Sequence, residues 1–153
     1  MSRWVMNTVV NKFIMEEKKS CIFCNFEEKY IITETNYSFA TYFPKAIIKK
    51  GHFVVAVKEH IPTFTGLSME QFSDISQLSL RLAKKAEKIL DAEKYYLVAI
   101  ADKDLHFHIH LLPKLKEDLP MGRHIMMAEG WKGEVGQIVS DEEAMEFIKV
   151  LRT

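Results

Sequence analysis

The chain has 153 residues, of which 48% are hydrophobic, and 21 acidic side chains balance 21 basic ones. This length fits one domain of ordinary size, and the balanced charge excludes the broad basic surface that binds bulk nucleic acid or an anionic membrane. Because no apolar run is long enough to cross a bilayer and no signal-peptide core is present, we expect a cytoplasmic protein.

Apolar residues recur at helical spacing near the N-terminus and predict an amphipathic helix over residues 1 to about 18. They are Trp4, Val5, Val9, Phe13 and Ile14. Such a helix either packs on its own domain, which we favour, or forms a dimer contact.

Cys21 and Cys24, the only cysteines of the chain, stand three positions apart. In a reducing compartment this spacing is typical of metal ligation or redox chemistry rather than of a structural disulfide. A thioredoxin-type redox pair would need a preceding strand and a following long helix, whereas short strands are predicted here at residues 30–33 and 37–41. We therefore favour zinc, for which a tight turn supplies two ligands while two more come from elsewhere.

Two histidines bracket the next predicted strand, a β-branched segment at residues 52–57. His60 follows this strand just before Pro62, where its side chain can reach a metal. His52 lies eight positions earlier, about 26 Å away along a straight strand, so the two histidines cannot share one task. An ordinary strand-entry histidine is an equally good interpretation of His52.

Ser68 and Gln71 form a capping-box pattern that predicts the start of the longest helix, which runs to about Leu90. Its apolar stripe is expected to comprise Phe72, Ile75, Leu78, Leu82, Ala86 and Ile89. A second capping box, formed by Ser140 and Glu143, predicts a final helix. The final helix is expected to bury Met145, Phe147, Ile148 and Leu151.

The most informative segment is residues 106–112, in which His106, His108 and His110 alternate with bulky apolar residues. A period of two is the period of a strand, so the three imidazoles share one face while the residues between them face a core. The outer two histidines are about 13 Å apart at their backbones, so the three cannot readily bind one metal ion. Separate tasks for the imidazoles suggest phosphate chemistry beside a metal.

A strand at residues 95–100 and a polar turn at residues 101–104 precede the histidine strand, which predicts an antiparallel hairpin. Together the elements predict an α+β fold: an antiparallel β-sheet meander with one long helix and short terminal helices. Residues 119–133 are irregular and rich in Gly and Met, which is typical of a mobile flap.

The candidate metal ligands are Cys21, Cys24, His60 and one of the strand histidines. Two sulfurs and two imidazole nitrogens suit a closed tetrahedral zinc site, which would be structural because no position is left for water. If the fourth ligand is the first strand histidine, the other two remain for chemistry. A neutral imidazole held by a hydrogen bond at one nitrogen is a good nucleophile at the other. The rival interpretation is a metallohydrolase with a catalytic metal on His108 and His110.

These residues resemble the histidine triad (HIT) family, whose signature, His-x-His-x-His followed by apolar residues, matches residues 106–112. The likeness extends, in the family's order, to the cysteine turn at residues 21–24, to residues 51–55 and to residues 60–61.

The resemblance covers about residues 20–115, which we take as the family core of a single HIT-like domain spanning residues 1–153. Residues 1–19 would then be an N-terminal helical extension, and residues 116–153 a C-terminal flap and helix.

The resemblance implies a homodimer of small α+β domains that binds nucleotides and hydrolyses or transfers nucleoside monophosphates. By position, His108 would attack the α-phosphorus to give a nucleotidyl-histidine, and His110 would contact the phosphate oxygens. His52 corresponds to an active-site histidine in many members.

The resemblance also implies two groups of binding residues. In zinc-bearing members the matching ligands are Cys21, Cys24, His60 and His106. Apolar positions near the nucleobase pocket match Ile22, Phe23 and Phe26.

Two departures from the family pattern bear on substrate choice. The Gly-Gln-Ser/Thr segment usual before the histidine strand is replaced by Asp102, Lys103 and Asp104. Lys103 can contact a phosphate as a point charge, whereas the two aspartates repel it. The ribose-binding acid or amide expected before His52 is missing, and Pro44 lies near its place. The alternative function is therefore a catalytically weak nucleotide-binding or interaction module that keeps a structural zinc.

Overall fold

The computed structural model describes residues 18–42, 49–100, 104–118 and 139–152 of the chain. Its main elements are five strands and two long helices. In chain order they are β1 (Ile31–Glu34), β2 (Ser38–Thr41), β3 (Phe53–Val57), α1 (Met69–Leu90), β4 (Lys94–Val98), β5 (His108–Lys114) and α2 (Asp141–Arg152).

The five strands form one sheet in the order β1-β2-β3-β5-β4, and every neighbouring pair is antiparallel. The predicted α+β class, the long helix and the antiparallel pairing of β4 with β5 are confirmed. The meander is interrupted after β3. α1 connects β3 to β4, which lies at the edge of the sheet and not beside β3. β5 then returns between β3 and β4, so it is paired on both sides.

β5 begins at His108, whereas the alternating pattern predicted a strand from His106. The backbone N–H of His106 donates to the carbonyl of Asp104 at 2.7 Å, which is a tight turn rather than extended backbone. The prediction that the apolar residues between the histidines face the core is confirmed, since they belong to the buried core. These residues are Phe107, Ile109 and Leu111.

α1 has the predicted capping box. The Ser68 hydroxyl accepts a hydrogen bond from the Gln71 N–H at 3.2 Å, and the Gln71 side chain accepts one from the Ser68 N–H at 2.9 Å. Four residues of the predicted stripe are buried: Ile75, Leu78, Leu82 and Ala86. The prediction is wrong for Phe72 and Ile89, which are 39% and 41% exposed. Phe72 lies at the margin of the stripe against the ring of Phe64, and Ile89 lies in the last turn.

α2 also begins with its predicted capping box. The Glu143 N–H donates to the Ser140 hydroxyl at 3.2 Å, and the Ser140 N–H donates to the Glu143 carboxylate at 3.0 Å. The buried residues of this helix are Ala144, Phe147, Ile148 and Leu151. Met145 was predicted to be buried but is 38% exposed, because it lies about 100° around the helix from Ala144.

The core lies between one face of the sheet and the two helices. The opposite face carries the strand histidines, and the strand register aligns other residues with them. Ala56 of β3 pairs with His108, and Phe39 of β2 pairs with Ala56. Because directly paired residues point to the same side of a sheet, these three side chains form a row on the histidine face.

The predicted N-terminal helix lies largely outside the described residues, although residues 18–20 are helical. The predicted flap at residues 119–133 also lies outside them, as do Pro44, Asp102 and Lys103. Within the described ranges, no helix combines the length and apolarity that crossing a membrane requires.

Candidate metal centre and histidine site

The cysteine turn is held by the side chain of Asn25. Its amide nitrogen donates to three carbonyls of the preceding chain at 2.9, 3.2 and 3.0 Å. Its backbone N–H closes the turn on the carbonyl of Ile22 at 3.3 Å. These bonds give the segment between the two cysteines a fixed local shape before any ligand contact is made.

The turn places both cysteines against histidines that follow β3 and precede β5. Cys21 Sγ is 3.3 Å from Nδ1 of His106. Cys24 Sγ is 3.3 Å from Nδ1 of His60 and 3.6 Å from Nδ1 of His106. Because the four ligand atoms all lie within 4.8 Å of one another, the structure brings the four candidate ligands together in a group that could hold a metal ion.

His106 has the protonation state of a metal ligand, whereas Cys24 would acquire it only when a cation binds. Nε2–H of His106 donates to the carbonyl of Val57 at 2.7 Å, so in the neutral ring Nδ1, which faces the sulfurs, is unprotonated. Burial lowers the pKa of His106 and favours that neutral ring. Burial and the neighbouring Cys21 thiol raise the pKa of Cys24 to about 11, so a nearby cation is needed before this thiol becomes a thiolate.

Three other histidines form a hydrogen-bonded chain. Nδ1 of His108 is 2.6 Å from the carbonyl oxygen of His106. Nε2 of His108 is 3.0 Å from Nε2 of His110, and Nδ1 of His110 is 3.0 Å from Nε2 of His52. A carbonyl oxygen only accepts, so His108 is protonated at Nδ1 and its Nε2 is an acceptor. With neutral rings, His110 then donates to His108, and His52 donates to His110.

Burial keeps these imidazoles neutral. Burial lowers the pKa of His110 to about 3, with a further contribution from His108. Burial also lowers the pKa of His52 well below its usual range, and the two neighbouring rings add to the effect. The pKa of His108 is lowered by burial as well, against the opposing effects of the His106 carbonyl and the Asp104 carboxylate. The order in which the three imidazoles donate to one another therefore follows from the His106 carbonyl, which accepts the hydrogen bond of His108.

The residue before His52 explains how that ring is positioned. Gly51 has a φ of +86°, which side chains rarely adopt, and a Cβ there would lie 2.3 Å from Cδ1 of Leu90. Its N–H donates to the hydroxyl oxygen of Tyr42, and its carbonyl accepts from the hydroxyl of Tyr95, both at 3.0 Å. The two phenols thus hold the peptide that precedes His52, and the His52 ring lies in contact with His110.

Aromatic rings surround one side of His108. The ring centroid of Phe23, between the two cysteines, is 4.5 Å from that of His108 and 6.4 Å from that of Phe26. Phe26 is in turn 5.8 Å from Phe39 of β2. The family resemblance points to Phe23, Phe26 and the half-buried Ile22 but not to Phe39, because only the strand register reveals which face of β2 is shared with the histidines.

Asp104 is the one residue of the unusual segment before the histidine strand that lies within the described ranges. It is half-buried, and its negative charge acts on the ring of His108. The contacts predicted for Lys103 stay predictions.

A five-stranded antiparallel sheet with His108 and His110 on an inner strand, shortly after His106, is the arrangement of a histidine-triad domain. The family described as HIT domain matches residues 25–117, and the chain belongs to this family. The adenosine 5'-monophosphoramidase of Schizosaccharomyces pombe is 35% identical over 112 residues, which cover 67% of this chain and 80% of that protein.

Two solved structures have the same fold. A HIT-like protein involved in cell-cycle regulation from Bartonella henselae has a TM-score of 0.68 and 16% identity, with 88% of this chain and 95% of that chain covered. A zinc-bound histidine triad family protein from Mycobacterium smegmatis has a TM-score of 0.65 and 19% identity, with 88% and 92% covered.

Proposed function

We propose that the protein is a nucleotidyl hydrolase or transferase that acts at the α-phosphate of a nucleoside-monophosphate derivative through a nucleotidyl-histidine on His108. The hydrogen bond from Nδ1 of His108 to the His106 carbonyl carries the proposal, because it leaves Nε2 unprotonated, the form in which an imidazole is a nucleophile. Membership of the HIT family and the likeness to an adenosine 5'-monophosphoramidase support the substrate class.

In the first step, Nε2 of His108 attacks the α-phosphorus, and the bond from phosphorus to the leaving group breaks. The N–H of His110, which points at Nε2 in the free protein, turns to a phosphate oxygen and stabilises its developing charge. The nucleotidylated ring is positively charged, and the His106 carbonyl stabilises it through Nδ1–H. An amine leaving group takes up one proton from solvent as it departs.

In the second step, water or another acceptor attacks the phosphorus, and the bond to Nε2 breaks. The acceptor releases one proton to solvent as its oxygen bonds to phosphorus, and His108 returns to its neutral form with its original proton on Nδ1. His52 fixes the tautomer of His110 through their 3.0 Å contact, so we assign it a supporting role at the substrate site. His108 and His110 are the catalytic residues of this proposal.

We propose zinc as the ion of the cluster formed by Cys21, Cys24, His60 and His106. With Zn–S near 2.3 Å and Zn–N near 2.0 Å, sulfur and nitrogen ligands of a tetrahedral site are about 3.5 Å apart. Three of the four S···N distances are 3.3, 3.3 and 3.6 Å, and all four ligand atoms lie within 4.8 Å of one another, so the residues fit this ion. Zinc bound there would stabilise the thiolates and act as a structural ion that ties the N-terminal turn to the sheet.

We propose that the nucleobase lies against Ile22, Phe23 and Phe26, and that Lys103 contacts a phosphate. The negative charge of Asp104 beside His108 disfavours a strongly anionic ligand. We therefore expect a substrate with one negative charge, such as adenosine phosphoramidate, to be preferred over a dinucleoside polyphosphate.

We also propose that the protein is a cytoplasmic homodimer. β4 is an edge strand, and among the described residues no other strand pairs with its outer side. Leu97 of this strand is 60% exposed. An exposed edge strand is a template for pairing with another chain, and the expected partner is a second copy.

Trapping of a covalent intermediate tests the enzyme proposal. The protein is mixed with adenosine phosphoramidate, a dinucleoside polyphosphate or a nucleotide sugar, each labelled in its nucleoside monophosphate, and is quenched in alkali. We expect label on the wild type and none on His108→Ala, which should keep its fold and its metal. If none of the three compounds labels the wild type, the enzyme proposal fails.

Two rivals give different results. A nucleotide-binding or interaction module, favoured by the charge of Asp104, would bind nucleotide tightly without turnover. A metallohydrolase with its catalytic metal on His108 and His110 would lose metal in His108→Ala, whereas the cysteine–histidine cluster keeps its ion in that variant.

A further inference from the structure

We infer that the cysteine–histidine cluster positions the imidazole of His108: metal binding there fixes the tautomer and orientation of this ring through His106 and Phe23. The inference rests on the proposed function, since it gives the metal ligands a part in preparing the candidate nucleophile. Two separate sets of contacts carry it.

The first set runs through His106, which contacts both sites. Its Nδ1 lies 3.3 and 3.6 Å from the two sulfurs, and its Nε2–H donates to the carbonyl of Val57 at 2.7 Å. Its own carbonyl accepts Nδ1–H of His108 at 2.6 Å. Ring and carbonyl belong to one residue of a tight turn, so a ligand bond that fixes the ring also fixes the carbonyl. Loss of that bond releases the acceptor that selects the tautomer of His108.

The second set runs through Phe23, which lies between the two cysteines. Its ring centroid is 4.5 Å from that of His108, at an interplanar angle of 31°, and 5.3 Å from that of His106. Ring contacts at this distance restrict the rotation of the imidazole. Asn25 fixes the internal shape of the turn without a metal, but the cysteines then keep only weak thiol hydrogen bonds to the histidines. The turn as a unit is therefore less firmly attached to the sheet and no longer holds the phenyl ring firmly against His108.

A purely structural ion would have a different signature. Its loss would lower the stability of the domain but leave the His108 ring unchanged in every molecule that stays folded. The coupling predicts instead that His108 loses its single tautomer in folded, metal-free molecules.

Imidazole ¹H–¹⁵N correlation spectra of protein labelled at histidine, recorded at constant pH without nucleotide, distinguish these cases. In the zinc-loaded protein we expect His108 as a single tautomer protonated at Nδ1. After chelation, its signals should broaden or shift to a mixture of tautomers while the methyl signals of Ile75 and Leu78 report an intact core. An unchanged His108 spectrum in folded, metal-free protein overturns the inference.

Phe23→Leu decides the question where metal-free protein does not fold. This variant keeps all four ligands, so its zinc content should equal that of the wild type, while the His108 signals broaden and kcat falls about tenfold or more. Phe23→Tyr keeps the ring and should restore the wild-type spectrum. Phe72→Leu removes a ring outside the site and should leave the His108 spectrum unchanged. If Phe23→Leu gives the wild-type His108 spectrum, the inference is wrong.

These spectra separate the inference from the proposed function, because they need no substrate. If the His108 spectrum responds to the metal but the protein is never nucleotidylated, the proposed function is wrong and the inference stands. If the protein is nucleotidylated but the His108 spectrum does not respond to the metal, the inference is wrong and the proposed function stands.

Discussion

The cysteine–histidine cluster and the histidine chain both contain imidazoles, but the rings face different partner atoms in the two arrangements. In the cluster, His60 and His106 present Nδ1 to cysteine sulfurs at 3.3 to 3.6 Å. In the chain, imidazole nitrogens contact one another or a carbonyl oxygen at 2.6 to 3.0 Å. The difference teaches that the partner atom, not the residue type or its place in the motif, decides what each imidazole can do. The carbonyl of His106 is where the two arrangements meet.

Removal of the candidate nucleophile should give the largest effect, because it should abolish turnover in the histidine chain and leave the cysteine–histidine cluster unchanged. His108→Ala should lower kcat by on the order of 10⁴-fold or more, because the covalent route is lost. Its zinc content and thermal midpoint should stay close to those of the wild type. Turnover measurements and metal analysis on the same preparation check both statements, and residual activity within tenfold of the wild type would contradict the assigned role.

Removal of the metal should act on stability. At free zinc 1,000-fold above its dissociation constant, binding stabilises the folded state by about 4 kcal/mol, so chelation should lower the free energy of unfolding by about that amount. Cys24→Ser should show most of the same loss without chelator, because it removes one ligand. Denaturant titrations with and without added zinc measure the effect, and a wild-type midpoint that does not respond to chelator would refute it.

Lowering the pH should reduce the stability of the folded protein, because the buried imidazoles of the histidine chain are neutral in that state. The unfolded His110 binds a proton near pH 6.5, whereas in the folded state burial lowers the pKa of this residue to about 3. Folded protein therefore binds fewer protons in this window, and stability falls by about 1.4 kcal/mol per pH unit as the pH drops below about 6.5. His110→Gln should remove the contribution of His110 to the slope of the free energy of unfolding against pH. Denaturant titrations between pH 6 and 4.5 compare the two proteins, and parallel curves would show that His110 is protonated in the folded state.

The smallest effect is expected from one of the two phenols that hold Gly51. Tyr95→Phe removes its hydrogen bond to the Gly51 carbonyl, which should cost about 1 kcal/mol of stability and lower kcat by displacing His52. Tyr96→Phe is the matched control on the same strand and should change stability by less than about 0.5 kcal/mol. Equal effects of the two substitutions on kcat would argue against a positioning role for Tyr95.

Local pattern was enough to predict much of the fold. The capping boxes at Ser68 and Ser140 predicted the starts of both long helices, because the bonds that form a cap lie within four residues. The alternation around His108 predicted which side chains enter the core. The start of β5 was predicted two residues too early, since the turn at His106 depends on a contact with Asp104 that side-chain periodicity does not contain.

The arrangement of the site was less predictable. The hydrogen bond between the rings of His52 and His110 joins residues 58 positions apart. Only the register of β3 against β5 brings these two residues together. Phe39 escaped notice for the same reason. The cysteine spacing suggested a metal site without specifying its fourth ligand, and the family resemblance pointed to His106.

The row of side chains across β2, β3 and β5 has a consequence for the spacing of the rings on the histidine face. Ala56, which is fully buried, pairs with Phe39 on one side and with His108 on the other, so a single methyl group stands between these two side chains. A branched residue at this position would add one or two carbon atoms to a site that is already closed to solvent, and a neighbouring ring would have to move to make room. The distance between an aromatic ring and an imidazole is thus set by a residue with no chemistry of its own.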